Sequence, residues 1–145
     1  MHLRPKRDKA QRGNAVIEVS LILMLMLMIM FGCIDFGFVL FEYQTLAHQA
    51  RSAARYGAIN PSDVAAIRNV VLYGSPALPD GKSEGDPGFF GVTSSMVSVA
   101  RFDATKPEDR IVVGVSGYQI VLVGPYIAGT FTGKPITVSL PVEPQ

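Results

Sequence analysis

The stretch VIEVSLILMLMLMIMFGCIDFGFVLF, residues 16–41, decides how this chain is organised. Sixteen of its residues are Val, Ile, Leu or Phe. At roughly −0.3 to −0.6 kcal/mol each on an insertion scale, they outweigh a cost of about +3 kcal/mol for one buried acid. About 20 helical residues cross a hydrocarbon core of roughly 30 Å, so the stretch can span a membrane once. The rest of the sequence contains no second run of this kind.

A secretory signal peptide is the main alternative to a membrane anchor. The apolar core of a signal peptide usually covers about 7 to 15 residues and ends at a cut site of small residues. Here the apolar residues continue to Phe41. The sequence therefore predicts a retained transmembrane helix over residues 14–41, and a cut before the apolar core stays open.

Residues 1–13 form a basic leader. Its net charge is +4, which leaves −3 for the remainder of a chain whose total is +1. The positive-inside rule then predicts a cytoplasmic amino terminus and a carboxyl-terminal domain outside the cytoplasm. A DNA-binding arm is an alternative interpretation of the leader, but no nucleic-acid partner is expected because the basic character ends with it. The charged residues of the leader are Arg4, Lys6, Arg7, Asp8, Lys9 and Arg12.

Glu18 lies near the start of the apolar stretch, five residues after Gly13. A carboxylate near hydrocarbon is costly, and this one has no apparent partner in the sequence around it. The placement favours a role in subunit assembly that needs a charge at this depth. The alternative is an interfacial acid whose side chain merely reaches the lipid headgroups.

Gly13, four further residues and then Glu18 before a long apolar helix resemble the cleavage and assembly signal of type IV pilins and pseudopilins. The run Phe31-Gly32-Cys33-Ile34-Asp35-Phe36-Gly37 and the Ala- and Arg-rich stretch Leu46–Ala58 extend the match. Together they are similar to the TadE-like family of the tight-adherence (Tad) pilus system. The resemblance covers about residues 12–58 of the chain.

This resemblance implies that Gly13 and Asn14 flank a processing site and that Glu18 serves assembly. Cleavage between them would remove the leader and create an α-amino group, which is cationic near or below a pKa of about 8. In two helices packed with a small axial offset, that amine would meet the Glu18 carboxylate of its neighbour and set the register.

The family further implies a minor pilin or pseudopilin of the bacterial inner membrane that takes part in assembling a Tad (Flp-type) pilus. Its expected partners are the membrane, a prepilin peptidase, sister pseudopilins, the Flp-type major pilin and the inner-membrane assembly platform. The competing hypothesis is an uncleaved, single-pass membrane-tethered binding module with an extracytoplasmic α+β domain.

Catalytic and ligand-binding patterns are sparse. His48 is the only histidine after the leader, and no Cys and His cluster has the spacing of a metal site. Asp80, Glu84 and Asp86 form a loose acidic group that does not match a calcium-binding loop. We therefore expect no enzyme activity, no cofactor, no metal and no small-molecule substrate.

Residues 42–73 are expected to form helices outside the membrane, the first of them continuing to about Tyr56. Small residues recur at spacings of three and four on one face of this helix and permit close approach. That face packs either on the outer domain of the same chain or on another subunit. One candidate, Asp35, is expected at the outer boundary of the membrane that the helix spans. The candidate packing residues are Asp35, Gly37, Ala47, Ala50 and Ala54.

Gly57 suits the end of the first helix, and Asn60-Pro61 predicts the cap and first turn of a second helix that Gly74 closes. Residues 74–91 are rich in glycine and proline and predict an exposed loop.

The β-rich region 92–145 contains three runs that predict an antiparallel meander, Met96–Phe102, Ile111–Val123 and Ile136–Leu140. A turn at Lys106–Asp109 separates the first two. The predicted class is α+β, with a long amino-terminal transmembrane helix that continues outside the membrane, a second short helix and a small antiparallel sheet.

Overall fold

A computed structural model describes residues 9–102, 109–122, 124 and 129–142, with side chains from residue 14 onward. Two helices are followed by two short 3-10 turns and five strands. This arrangement confirms the predicted α+β class. The elements are α1 (Lys9–Ile59), α2 (Val64–Tyr73), the 3-10 turns Phe89–Gly91 and Ser94–Met96, β1 (Val97–Phe102), β2 (Arg110–Val115), β3 (Gln119–Leu122), β4 (Gly129–Thr132) and β5 (Ile136–Pro141).

Helix α1 is one unbroken helix of 51 residues. At about 1.5 Å per residue it is about 76 Å long. It contains no proline, so its backbone hydrogen bonds continue from the apolar stretch into the folded domain. This domain, called the outer domain below, consists of the described residues from 42 to 142.

Gly57 does not end α1, as the sequence suggested, because the helix continues to Ile59. A methyl group built on Gly57 would lie 2.5 Å from Ile111 Cδ1 and 3.0 Å from Ile67 Cδ1. The glycine is therefore a point of close approach between α1, α2 and β2.

Helix α2 is capped at both ends by its own sequence. The Asp63 carboxylate accepts a hydrogen bond from Ala66 N at 3.0 Å, and Gly74 takes the left-handed conformation with φ 75° and donates to Val70 O. Asp63, and not Asn60, is the amino-terminal cap. Asn60 N instead bonds to Tyr56 O at the end of α1, and Pro61 lies in the turn between the helices.

The main sheet has the order β1-β2-β5, with both pairs antiparallel. Gly117, with φ 77°, divides the long run 111–123 into β2 and β3, and β3 pairs with β4, a strand that the sequence analysis missed. The simple meander was therefore wrong, because a hairpin is inserted between β2 and β5. Of the expected turn at 106–109, only Asp109 is described, and its carboxylate pairs with Arg101.

The core lies between the outer half of α1, α2 and the main sheet. Tyr118 is the largest fully buried side chain among the described residues, and it lies near Glu42 and Tyr43 of α1. Apart from Leu46, the fully buried members on α1 are alanines, and those on the sheet are β-branched, which lets the helix lie close to the strands. Besides Tyr118, the fully buried members of the core include Leu46, Ala50, Ala53, Ala54, Ile67, Val71, Val92, Ile111, Val113 and Val115.

Candidate functional site

The apolar half of α1 projects from this core. Among the described residues, α1 is the one helix long and apolar enough to cross a bilayer, and no residue in its most apolar part is buried. Nearly all large side chains between Val16 and Phe41 are exposed. A surface of that size costs free energy in water, so it needs lipid or other helices around it.

Glu18 lies on this exposed segment, close to its amino-terminal end. Among the side chains that the structure describes, none forms a hydrogen bond or an ion pair with its carboxylate. The neighbouring Ser20 hydroxyl donates to Val16 O at 2.7 Å, so it satisfies a backbone carbonyl and not the acid. The carboxylate is thus available to a group outside the described part of the chain.

Gly13 and Asn14, the expected processing residues, lie inside α1, whose first helical residue is Lys9. Glycine and asparagine are both poor helix formers, glycine by about 1 kcal/mol relative to alanine. The junction between leader and apolar segment is therefore an intrinsically weak part of the helix.

The small-residue face of α1 packs within the chain. Ala50 and Ala54 are fully buried against the core and Ala47 is half-buried. The sequence left open whether this face packs on the same chain or on another subunit, and in the structure it packs on the outer domain of the same chain. Gly37 differs, because a methyl group built on it would meet nothing within 4 Å. Its surface is available only to lipid or to a neighbouring helix.

Asp35 connects the apolar segment to the outer domain. Its Oδ2 accepts a hydrogen bond from Gly124 N at 2.8 Å, across 89 positions of sequence. A methyl group on Gly124 would lie 2.5 Å from that oxygen, so the close approach depends on glycine. The carboxylate therefore fastens the chain just after β3 to the outer end of the apolar segment.

We expect Asp35→Ala to free the Gly124 amide. Loss of a hydrogen bond to a charged acceptor costs about 1.5 to 3 kcal/mol, so amide exchange at Gly124 should accelerate at least about tenfold. Hydrogen–deuterium exchange of the full chain in detergent measures this change.

The Gly133 amide, which bonds to Tyr118 O at 2.8 Å, is the internal control and should keep its rate. Asp35→Asn retains an acceptor oxygen and should give an intermediate rate. An unchanged Gly124 rate in Asp35→Ala would mean that the contact does not hold this segment.

An open groove of about 290 Å³ lies beside Asp35, between α1, the first 3-10 turn and β3. Partial burial raises the pKa of Glu42 above its ordinary value. Burial also raises the pKa of Tyr118, and the nearby Tyr43 and Glu42 act in the same direction. The groove is lined by Asp35, Phe38, Glu42, Phe90, Gln119 and Val121.

Sequence reasoning missed the roles of Tyr118 and Gly124, and it did not group Asp35 with Glu42. A usable signal was present for the acids, since Asp35, Glu42 and Leu46 recur at spacings of seven and four on one helical face. No such signal existed for Tyr118, because β3 and β4 were not separated from their neighbours.

The remaining candidates form no reactive cluster. His48 is exposed on α1, and Cys33 is exposed within the apolar segment. In the acidic loop, Asp86 Oδ2 accepts a hydrogen bond from Ser83 N at 2.8 Å and closes a turn. Over the described ranges, no three His, Cys, Asp or Glu side chains come together as metal ligands would.

Comparison with known proteins matches residues 13–55 to the family model described as TadE-like protein. The matched range contains Gly13 and Asn14, the apolar segment and most of the buried small-residue face of α1. The family resemblance is thereby confirmed for this part of the chain. The searches of curated proteins and of solved structures returned no match.

Proposed function

We propose, because residues 13–55 match the model of the TadE-like family, that this chain is a minor pilin or pseudopilin of a Tad (Flp-type) pilus. It would be inserted in the bacterial inner membrane, with its carboxyl-terminal domain outside the cytoplasm. The observation that carries the proposal is an exposed apolar helix with a folded domain at its far end and, near its start, an acid that pairs with no described side chain.

Helix α1 has the two properties that a filament subunit needs. The most apolar part of its membrane segment can leave the lipid and pack against other helices, because none of that part is buried against the described residues. One face of its carboxyl-terminal half is buried in the outer domain, so the domain moves with the helix as one body. A subunit pulled from the membrane by its helix would bring a folded domain with it.

Glu18 is the assembly residue in this proposal. Removal of the leader leaves Asn14 with a free α-amino group, four residues before the carboxylate. Within a helix bundle, each charge would be tolerated because the other is present, so the pair would specify axial register even when its net stabilisation is small. The leader itself, with its net charge of +4, would hold the amino end in the cytoplasm until cleavage.

Cleavage at Gly13–Asn14 requires α1 to open locally. The two poor helix formers at the junction lower the cost of opening, whereas the apolar residues after Val16 would remain helical in lipid. A prepilin peptidase is the proposed processing partner. Sister pseudopilins, the Flp-type major pilin and the inner-membrane assembly platform are the proposed assembly partners, and no enzymatic role is proposed.

The amino terminus of the membrane-extracted protein tests this function. Mass spectrometry of the chain from cells that make pili should find Asn14 as the first residue. Cells that lack the peptidase are the matched control and should yield residues 1–13 intact. Retention of the leader in piliated cells would contradict the proposal and support the membrane-tethered binding module instead.

A further inference from the structure

We propose, on the premise that α1 spans the membrane as proposed above, that the outer domain docks on the lipid surface through three side chains around the open groove. These side chains, Phe38, Phe90 and Val121, are called the apolar rim below. The occupant is the phospholipid of the leaflet on the carboxyl-terminal side of the span. Docking would fix the tilt of the domain against the bilayer before assembly.

The depth of the apolar rim follows from the length of α1. Counted from Val16, about 20 residues cross the hydrocarbon and reach Asp35. The headgroup region adds roughly 5 to 7 Å on that side, which corresponds to about four more residues of helix. Phe38 lies within that interval, and the groove places Phe90 and Val121 beside it.

The chain from β2 to Gly124 runs down α1 toward this boundary. Ile111, at the start of β2, lies against Gly57, whereas Gly124, just after β3, is bonded to Asp35. No break in α1 separates the apolar segment from the domain, so the domain has no hinge on which to move away from the lipid. Its lower edge must therefore meet the headgroups.

The side chains at this edge are suited to an interface. Phe38 is 65% exposed, Phe90 39% and Val121 62%, although all three are large and apolar. Large apolar side chains such as Phe insert at the boundary between headgroups and acyl chains when they lie on the membrane-facing side of a peripheral element. The described residues that line the groove include two carboxylates and no lysine or arginine, so apolar insertion and not attraction to anionic lipid would hold it.

Phe90 also has an unusual backbone. Its φ of 54° is the one left-handed non-glycine conformation among the described residues. Such a conformation is costly for a bulky residue and is retained where the surroundings enforce it. Here the ring packs edge-on against Phe41 of α1 with a centroid distance of 5.9 Å, which holds Phe90 at the membrane side of the domain.

Single-tryptophan reporters test the docking, because the chain contains no tryptophan. Phe90→Trp and Val121→Trp report on the apolar rim. Phe102→Trp is the matched control, since Phe102 is 53% exposed but pairs with Arg110 at the end of the main sheet that is far from the apolar rim. That end lies beside Gly57, about 33 Å along α1 from Asp35. Leu27→Trp reports on insertion of the span itself.

Each full-length variant is placed, one chain per disc, in phosphatidylcholine nanodiscs with brominated acyl chains. We expect bromine near the glycerol end to quench the two rim reporters at least about twofold more than the Phe102→Trp reporter. Bromine deep in the chains should quench the Leu27→Trp reporter most.

Rim reporters quenched no more than the Phe102→Trp reporter, while the Leu27→Trp reporter is quenched, would overturn docking and leave insertion intact. An unquenched Leu27→Trp reporter would overturn the insertion on which the proposed function also depends. If the rim reporters are buried only in discs that hold two chains, a second copy and not lipid covers the apolar rim, and lipid docking would be overturned.

Discussion

Replacing Glu18 with alanine is expected to reduce assembled pili at least about tenfold while the level of the protein stays unchanged. Removing one partner of a desolvated ion pair costs about 3 to 5 kcal/mol, because the other charge remains without compensation. In the proposed filament that other charge is the α-amino group of a neighbouring subunit. Glu18 has no bonding partner among the described side chains, so its loss should leave the fold of the outer domain intact.

Pili are counted by electron microscopy, and the protein is quantified by immunoblot of the membrane fraction. Glu84→Ala is the matched control, because Glu84 is an exposed acid in the loop after α2 and should leave pilus number unchanged. Normal piliation of the Glu18→Ala strain at a normal protein level would remove the assembly role of this residue.

Replacing Tyr118 with alanine is expected to destabilise the outer domain by about 3 to 5 kcal/mol, the range for large buried aromatic residues. Tyr118 is 1% exposed, and its hydroxyl donates a hydrogen bond to Lys134 O at 3.0 Å. Its ring lies so close to Gly133 that any side chain there would overlap with it. The residue thus joins the β3–β4 hairpin to the core beneath α1.

Urea unfolding of the full chain in detergent, followed by near-ultraviolet circular dichroism, measures this loss. Tyr118→Phe keeps the ring and loses only the hydroxyl bond, so it should cost about 1 kcal/mol. Tyr43→Ala removes an exposed tyrosine nearby and should cost less than the loss of the buried ring. Equal costs for the Tyr118→Ala and Tyr43→Ala variants would show that Tyr118 does not anchor the hairpin.

The β region shows why sequence reasoning succeeded for some elements and failed for others. Met96–Phe102 and Ile136–Leu140 were recognised because each is a short run that contains β-branched residues. In the structure, the strands in both runs pair with β2. The run at 111–123 was read as one strand because its apolar character continues through Gly117, where only the backbone conformation reveals the break. Strand β4 has two threonines and a glycine in four residues and offered no apolar alternation.

The candidate site divides in the same way. Glu18, Gly13 and Asn14 could be named from sequence because their order along one helix resembles the cleavage and assembly signal of type IV pilins. The Asp35–Gly124 bond could not, because it joins residues 89 positions apart through the descent of β2 and β3 along α1. The choice between intrachain and intersubunit packing of Ala50 and Ala54 was equally invisible, since a small-residue stripe suits either partner.

By itself, the sequence determined that this chain has one membrane-length helix, a basic leader, an acid near the start of the helix and an α+β region beyond it. These properties depend on local composition and on the periodicity of neighbouring residues, which do not require knowledge of distant contacts. Only the tertiary structure decided which face of α1 the domain covers, that Asp35 holds the segment after β3, and that the apolar rim surrounds a groove beside Asp35. Those features arise where distant segments meet, and their geometry follows from packing and not from the order of residues along any one segment.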